Sequence, residues 1–75
     1  MKVYAVYETD SCLSYASRDL LGIYSTKNKA MKRIKSKTEL DDNDRWNLEN
    51  INQTQCREND DKNYMIECIT VNEDL

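Results

Sequence analysis

A run of basic residues followed at once by acids is the segment of this chain best suited to contact another molecule. Between Lys27 and Lys37 the chain carries six basic residues and no acid, and four acids follow between Glu39 and Asp44. Lysine and arginine on one helix face can follow a phosphate backbone, and each neutralised phosphate adds salt-dependent affinity. Adjacent patches of opposite sign are instead typical of protein interfaces, where they steer association and fix its register.

The charge balance favours the protein interface. The formal net charge is −3, and residues 39–61 carry eight acids against two arginines, which would repel a duplex. A solvated helix face is the simplest interpretation of the lysines alone. We predict a protein partner, bound through charged patches and an aromatic centre, and keep nucleic-acid binding by the basic helix face as the alternative. The predicted partner-binding residues are Lys29, Lys32, Arg33, Lys35, Asp41, Asp42, Asp44 and Trp46.

Composition argues against catalysis and against a metal or cofactor. The chain has no histidine, so histidine bases, histidine metal ligands and Ser–His or Cys–His pairs are excluded. One glycine and no proline leave no phosphate-binding loop or dinucleotide fingerprint. The segment 41–49 resembles the start of a calcium loop, but the chain has no glycine at the sharp turn and no glutamate at the last ligand position of such a loop. We therefore predict a protein that is not an enzyme and that binds neither metal nor cofactor.

The cysteines and the hydropathy pattern indicate the compartment. Cys12, Cys56 and Cys68 are odd in number and widely spaced, which favours free thiols in a reducing cytoplasm over a disulfide framework. Cys68 lies in an apolar run, so we predict that it packs in the core. The chain shows no signal peptide, and no apolar stretch approaches the ~20 residues of a membrane span. The prediction is a cytoplasmic protein without a membrane segment.

The sequence predicts three strands that help to position these residues, because three segments are rich in β-branched and aromatic residues. They are predicted over 1–9, 19–25 and 64–71, with the first two paired antiparallel around a long loop. Gly22 in the middle of the second strand predicts a bulge or close packing by a neighbour.

A helix is predicted from Thr26 to Thr38, with Ser25 as its N-cap. Ala30, Met31 and Ile34 recur at helical spacing and predict its buried face, which leaves the lysines outside. Residues 39–45 form an acidic connection or the start of a second helix. The segment 46–58 fits either a helix or a polar strand, and we favour the strand. Trp46 fits either an exposed contact residue or a side chain that covers the edge of the core, and we favour the second.

These elements predict a single α+β domain over 1–75, with residues 72–75 as a frayed tail. The sheet has three or four strands, antiparallel or mixed, with one amphipathic helix on one face, in the order β-β-α-(β)-β. One helix covers one face only, yet the strands are apolar on both. The surplus face must be covered by residues 39–58 or by another chain, which includes a homodimer through that face. Its predicted residues are Tyr4, Val6, Leu20 and Tyr24, together with residues of the last strand.

Three segments of the chain carry a resemblance: "MKVYAVYE", "LLGIYSTKNKAMKRI" and "YMIECITV". The chain resembles a loose class of small phage-encoded proteins in which a strand pair leads through a Tyr-Ser-Thr cap into a lysine-rich helix and back into the sheet. The resemblance covers roughly residues 1–8, 20–37 and 64–72. It implies a phage or prophage origin and an inhibitor of a host defence or gene-expression complex, since some anti-CRISPR proteins share this size and build. It carries over no functional residue.

Overall fold

The computed structural model of the chain describes residues 1–55, 57 and 61–72. Its elements are β1 (Lys2–Thr9), a single 3₁₀ turn (Tyr15–Ser17), β2 (Asp19–Tyr24), α1 (Lys27–Lys37), α2 (Asp42–Asn50) and β3 (Asn63–Thr70). The strands form one antiparallel sheet in the order β2-β1-β3. The α+β class is confirmed, with three strands and two helices in the described residues.

The bulge predicted at Gly22 is present in β2. Val6 pairs with Gly22 while Tyr7 pairs with Leu20, so one extra residue, Leu21, is accommodated in β2. A Cβ atom added at Gly22 would lie 2.5 Å from the Tyr24 hydroxyl oxygen. The glycine therefore makes room both for the bulge and for the side chain of Tyr24.

Helix α1 is buried as predicted but capped one residue later. Thr26 is the N-cap, and its hydroxyl accepts a hydrogen bond from the Lys29 backbone N–H at 3.2 Å. Ser25 is not the cap. The buried side chains of the helix are Ala30, Met31 and Ile34.

Helix α2 lies where the sequence favoured a strand, so that part of the 46–58 prediction is wrong. Asp41 and Asp44 form a capping box: the Asp44 N–H donates to the Asp41 carboxylate at 2.7 Å, and the Asp41 N–H donates back to Asp44. The box fixes the first turn, although aspartate replaces the usual glutamate. Among the described residues after α2, Gln53 forms an isolated bridge with Met65. On either side of it the Thr54 N–H donates to the Tyr64 carbonyl at 2.9 Å and the Ile66 N–H donates to the Asn52 carbonyl at 2.8 Å.

The two helices are antiparallel neighbours on the same face of the sheet. The Lys27 ammonium at the start of α1 donates to the Glu49 carbonyl at 3.1 Å and to the Asn52 side chain at 2.8 Å, both at the end of α2. Asn52 has a φ of 60°, a conformation that asparagine tolerates better than most residues. An asparagine thus ends α2 where a glycine would be usual.

The core lies between the helix pair and one face of the sheet, which we call the covered face. It is built from Val6, Ala30, Met31, Ile34, Leu48, Tyr64 and Ile66, with Tyr4, Leu21, Tyr24 and Leu40 packed against it. Tyr4, Val6 and Tyr24 were predicted on the surplus face, and that prediction is wrong for all three.

Two further predictions concern Cys68 and the C-terminal tail. Cys68 is exposed, not in the core, although it lies on the same face of β3 as Ile66. Asn72 lies after β3 and is exposed, and the rest of the predicted tail, like Cys56, is outside the described residues. No helix in the described part of the chain is long and apolar enough to span a membrane.

Candidate protein-binding surfaces

The basic side of α1 faces solvent. Lys29, Lys32 and Lys35 are exposed and Arg33 is half-buried. Within the described residues none of these four side chains forms an ion pair. Their side-chain contacts are to serines: the Lys29 ammonium donates to Ser25 at 3.3 Å, and the Arg33 guanidinium donates to Ser36 at 3.4 Å. No acid in the described part of the chain therefore pairs with any of the four charges.

The acids predicted to form the other half of the docking surface are mostly engaged in building α2. Asp41 caps the helix and Asp42 forms an ion pair with Arg45. Asp44 is buried and cannot contact a partner, so it is not part of the predicted partner-binding surface. The surface is consequently more basic than the sequence indicates.

Asp44 is held by Arg57, a residue that the sequence analysis did not single out. Their ion pair has a distance of 3.2 Å, and both side chains are only 6% exposed. The same guanidinium donates to the Thr38 hydroxyl at 3.0 Å and to the Glu39 carbonyl at 2.8 Å. Arg57 thus ties the loop between the helices to the chain that follows α2. An isolated arginine in a polar segment gives no signal of this role.

Trp46 is 59% exposed and does not cover the core, contrary to the favoured prediction. The inward-facing residues of α2 are Asp44, Asn47 and Leu48. Trp46 is two positions from both Asp44 and Leu48, about 200° around the helix, so it points away from the sheet. The solvent-facing side chains of the two helices include Lys29, Lys32 and Lys35 of α1 and Trp46 of α2. We call these four residues the helix surface.

The other face of the sheet, which we call the open face, carries no helix. Side chains alternate along a strand, so the register places Val3, Ala5 and Tyr7 of β1 there, beside Met65 and Ile69 of β3. From β2 the open face receives Leu20 and Ile23, which are 51% and 57% exposed. Of the predicted surplus-face residues, Leu20 alone lies on this side.

Two charged residues flank Tyr7 on the open face. The Arg18 guanidinium carbon lies 4.3 Å from the ring centre of Tyr15 and 6.0 Å from that of Tyr7. Its Nε atom is buried and has no hydrogen-bond partner in the described part of the chain. Burial raises the pKa of the Tyr7 phenol, and the Glu67 carboxylate raises it further through its charge and a hydrogen bond. Arg18, Tyr7 and Glu67 follow one another across the sheet from the β2 side to the β3 side.

An acidic cleft lies at the end of β1. It has a volume of about 330 Å³ and is lined by Glu8, Thr9, Asp10, Ser17, Asp19, Asp61 and Lys62. Glu8 accepts hydrogen bonds from the Lys62 ammonium and from the Tyr64 hydroxyl, each at 3.0 Å. The bond from Lys62 is the main reason why the pKa of Glu8 is lowered. Over residues 1–55, 57 and 61–72 there is no group of three or more residues suited to hold a metal ion.

The fold and these surfaces define a class: small α+β domains with a three-stranded antiparallel sheet and a helix pair on one side. The chain belongs to the DUF7336 family, described as a domain of unknown function, whose model matches residues 1–73. No curated protein and no solved structure is significantly similar to it.

Proposed function

We propose that this protein is a non-enzymatic binding module that docks onto another protein through its helix surface. The observation that carries the proposal is the exposure of Trp46 on α2, together with the exposed lysines of α1 that pair with no described acid. Tryptophan is among the residue types most enriched in interface hot spots, and an exposed tryptophan gains most when a partner covers it.

The lysines complement this role. Lys29, Lys32 and Lys35 carry charges that no described acid pairs with, so an acidic patch on the partner meets no competing ion pair. Such charges raise the association rate and fix the orientation of docking, whereas an anchoring aromatic supplies most of the affinity. The proposed partner surface is therefore acidic around an apolar pocket for the indole ring.

The ionisable groups support a binding role over catalysis. The pKa values of Glu8 and Asp10 are lowered and that of Tyr7 is raised, so each moves away from neutral pH. A general acid or base works best with a pKa near the operating pH. The free thiols of Cys12 and Cys68 support a reducing compartment such as the cytoplasm.

The class of partner comes from the resemblance to small phage-encoded proteins. We propose a host complex of defence or gene expression, which the protein inhibits by occupying a binding site. This step rests on the resemblance alone, whereas the docking surface rests on the exposure of Trp46 and the lysines.

The test is affinity capture from host lysates with the wild type, Trp46→Ala and Tyr15→Ala side by side. Tyr15 is an even more exposed aromatic that lies against Arg18, outside the two helices, and it serves as the control. We expect a protein that the wild type and Tyr15→Ala retain and that Trp46→Ala binds about thirtyfold more weakly, as for a hot spot worth about 2 kcal/mol. Equal capture by all three would contradict the proposed surface.

Nucleic-acid binding remains the second candidate, and the uncompensated lysines of α1 favour it. It predicts affinity for single-stranded or duplex DNA that falls steeply with salt, with the slope reduced by roughly 0.7–0.9 for each phosphate contact removed. Lys32→Glu should reduce the slope, whereas Lys2→Glu, an exposed lysine on β1, should not. Absence of a gel shift at low salt would eliminate this candidate.

A further inference from the structure

We propose that Arg18 anchors a carboxylate-binding site at the β2 side of the open face, and that the ligand is an acidic side chain on an extended segment of a partner protein. The site lies on the opposite side of the sheet from the helices, so its ligand is separate from the partner of the helix surface. Trp46 and the lysines of α1 take no part in it.

The charge of Arg18 is unpaired in the described part of the chain. No acid there forms an ion pair with it, and its buried Nε has no hydrogen-bond acceptor. By comparison, Arg57 is paired with Asp44 and Arg45 with Asp42. A half-buried guanidinium has lost part of its hydration, so an anion that accepts hydrogen bonds from it is held more strongly than at a fully solvated cation.

Two tyrosine rings hold the guanidinium of Arg18 in place. Its central carbon lies 4.3 Å from the ring centre of Tyr15 and 6.0 Å from that of Tyr7. Such stacking restricts the side chain before a ligand arrives, so less conformational entropy is lost on binding. Within the described residues, Nε alone among its nitrogens is buried without a partner, which leaves the two terminal nitrogens accessible. A planar carboxylate can accept from both of them at once.

The surroundings of Arg18 favour a carboxylate over a phosphate group. Lys2 is the one basic residue of the three strands, and the strand alternation turns it to the covered face. A phosphate group carries up to about two negative charges and is typically bound by a cluster of basic groups, whereas one arginine suffices for a carboxylate. Glu67 also lies on the open face, but beyond Tyr7 and hydrogen-bonded to that phenol, so Arg18 is left for a ligand.

Apolar side chains follow Arg18 along β2 at the spacing of an extended chain. The backbone of Arg18 is extended, with a φ of −65° and a ψ of 120°, so its side chain shares a face with Leu20, about 6.7 Å further on. Beyond the bulge, Ile23 pairs with Ala5 and lies on this face as well. Leu20 and Ile23 are 51% and 57% exposed. Alternate residues of an extended segment have the same spacing, so the expected ligand is an acid followed by apolar residues two and four positions later.

NMR titration with a blocked peptide of the sequence Glu-Ser-Leu-Ser-Val tests the site. The Nε–H of Arg18 is buried, so its signal is protected from exchange with water and reports on an anion at the guanidinium. We expect this signal and the methyl signals of Leu20 and Ile23 to shift, with half-saturation at a roughly millimolar concentration, as for one charge-assisted anchor. The same peptide with glutamine in place of glutamate should bind about tenfold more weakly, because it lacks the charge.

Substitutions test whether Arg18 is the anchor. Arg18→Gln should weaken peptide binding by about tenfold or more, and Arg18→Lys should restore little of it, because an ammonium lacks the planar fork. Arg45→Gln removes the same charge from an exposed position on α2 and is the matched control, which should bind like the wild type. Tyr15→Ala should weaken binding by about threefold, since the guanidinium loses a stacking partner. Circular dichroism of each variant checks that the fold is intact.

Four outcomes would overturn the proposal. An Arg18 signal that does not shift at about ten times the expected dissociation constant excludes the site. Shifts confined to α1 would assign the acidic peptide to the helix surface instead. Acetate that binds as tightly as the peptide would show a site for free carboxylates without a role for the apolar residues. Displacement of the peptide by inorganic phosphate at lower concentrations than by acetate would assign the site to phosphate groups.

Discussion

The two faces of the sheet are built from similar residues and differ in what covers them. Along β1, Tyr4 and Val6 point to the covered face, while Val3, Ala5 and Tyr7 point to the open face. Both sets are apolar or aromatic, yet α1 and α2 both pack against the first. Apolar residues on alternating positions of β1 show that both faces of the sheet need to be covered. They do not show which face the helices that follow in the chain will pack against.

The polar groups of the two sides differ in the same way. On the covered side the Asp44 carboxylate accepts hydrogen bonds from the Asp41 N–H and from Arg57, and Glu8 accepts from Lys62 and Tyr64. On the open side the buried Nε of Arg18 has no hydrogen-bond partner among the described residues. Satisfied polar groups hold a fold together, whereas groups without internal partners are those that a second molecule can use.

The largest predicted effect removes the buried ion pair of the covered side. Arg57→Leu should lower the free energy of unfolding by about 3–5 kcal/mol, because it leaves the Asp44 carboxylate buried without its counter-charge. Urea denaturation measures the change. The double variant D44N/R57L should recover part of the loss, since an amide carries no charge and still accepts the capping bond. A loss below about 1 kcal/mol for Arg57→Leu would show that this pair is solvated like a surface one.

The next prediction compares a core residue on the covered side with its exposed counterpart on the open side. Leu48→Ala should cost about 2–5 kcal/mol, because the leucine is fully buried and its removal leaves a cavity. Ile23→Ala should cost less than about 1 kcal/mol in the monomer, since that side chain is more than half exposed already. Denaturant midpoints at low protein concentration give both values. Equal losses would mean that the open face is covered within the monomer.

The sequence predicts the covered side better than the open one. Ala30, Met31 and Ile34 were identified by helical spacing, and the three strands by their β-branched and aromatic residues. The α2 prediction failed because an aspartate capping box and two apolar positions, Leu48 and Ile51, give a weak helical pattern. The face assignment of Tyr4, Val6 and Tyr24 failed because alternation defines two faces without labelling them. The ion pair of Arg57 and the exposure of Trp46 both depend on where α2 lies. Neither could be predicted from the sequence without the position of that helix.

The smallest predicted effects concern the dependence of stability on pH. Tyr7 and Glu8 are neighbours in β1 that point to opposite faces, and their contributions are lost at opposite ends of the pH range. Glu8 has a lowered pKa in the folded state, so its contribution is present above its ordinary value near 4.5 and is lost as the pH falls through the folded value. Tyr7 has a raised pKa, so its contribution is present below its ordinary value near 10.0 and is lost as the pH rises through the folded value. Denaturation of the wild type should show a plateau of stability between pH 4.5 and pH 10.0, with a decline below the first value and above the second.

Single substitutions separate the two ends of that profile. Glu8→Gln should flatten the acid decline and leave the alkaline one, because the covered-face bonds from Lys62 and Tyr64 no longer depend on a carboxylate. Tyr7→Phe should flatten the alkaline decline alone, because the open-face phenol and its contact with Glu67 are gone. If either substitution flattened the decline at both ends, the two groups would be coupled through the sheet, and the separation of the two faces would then fail.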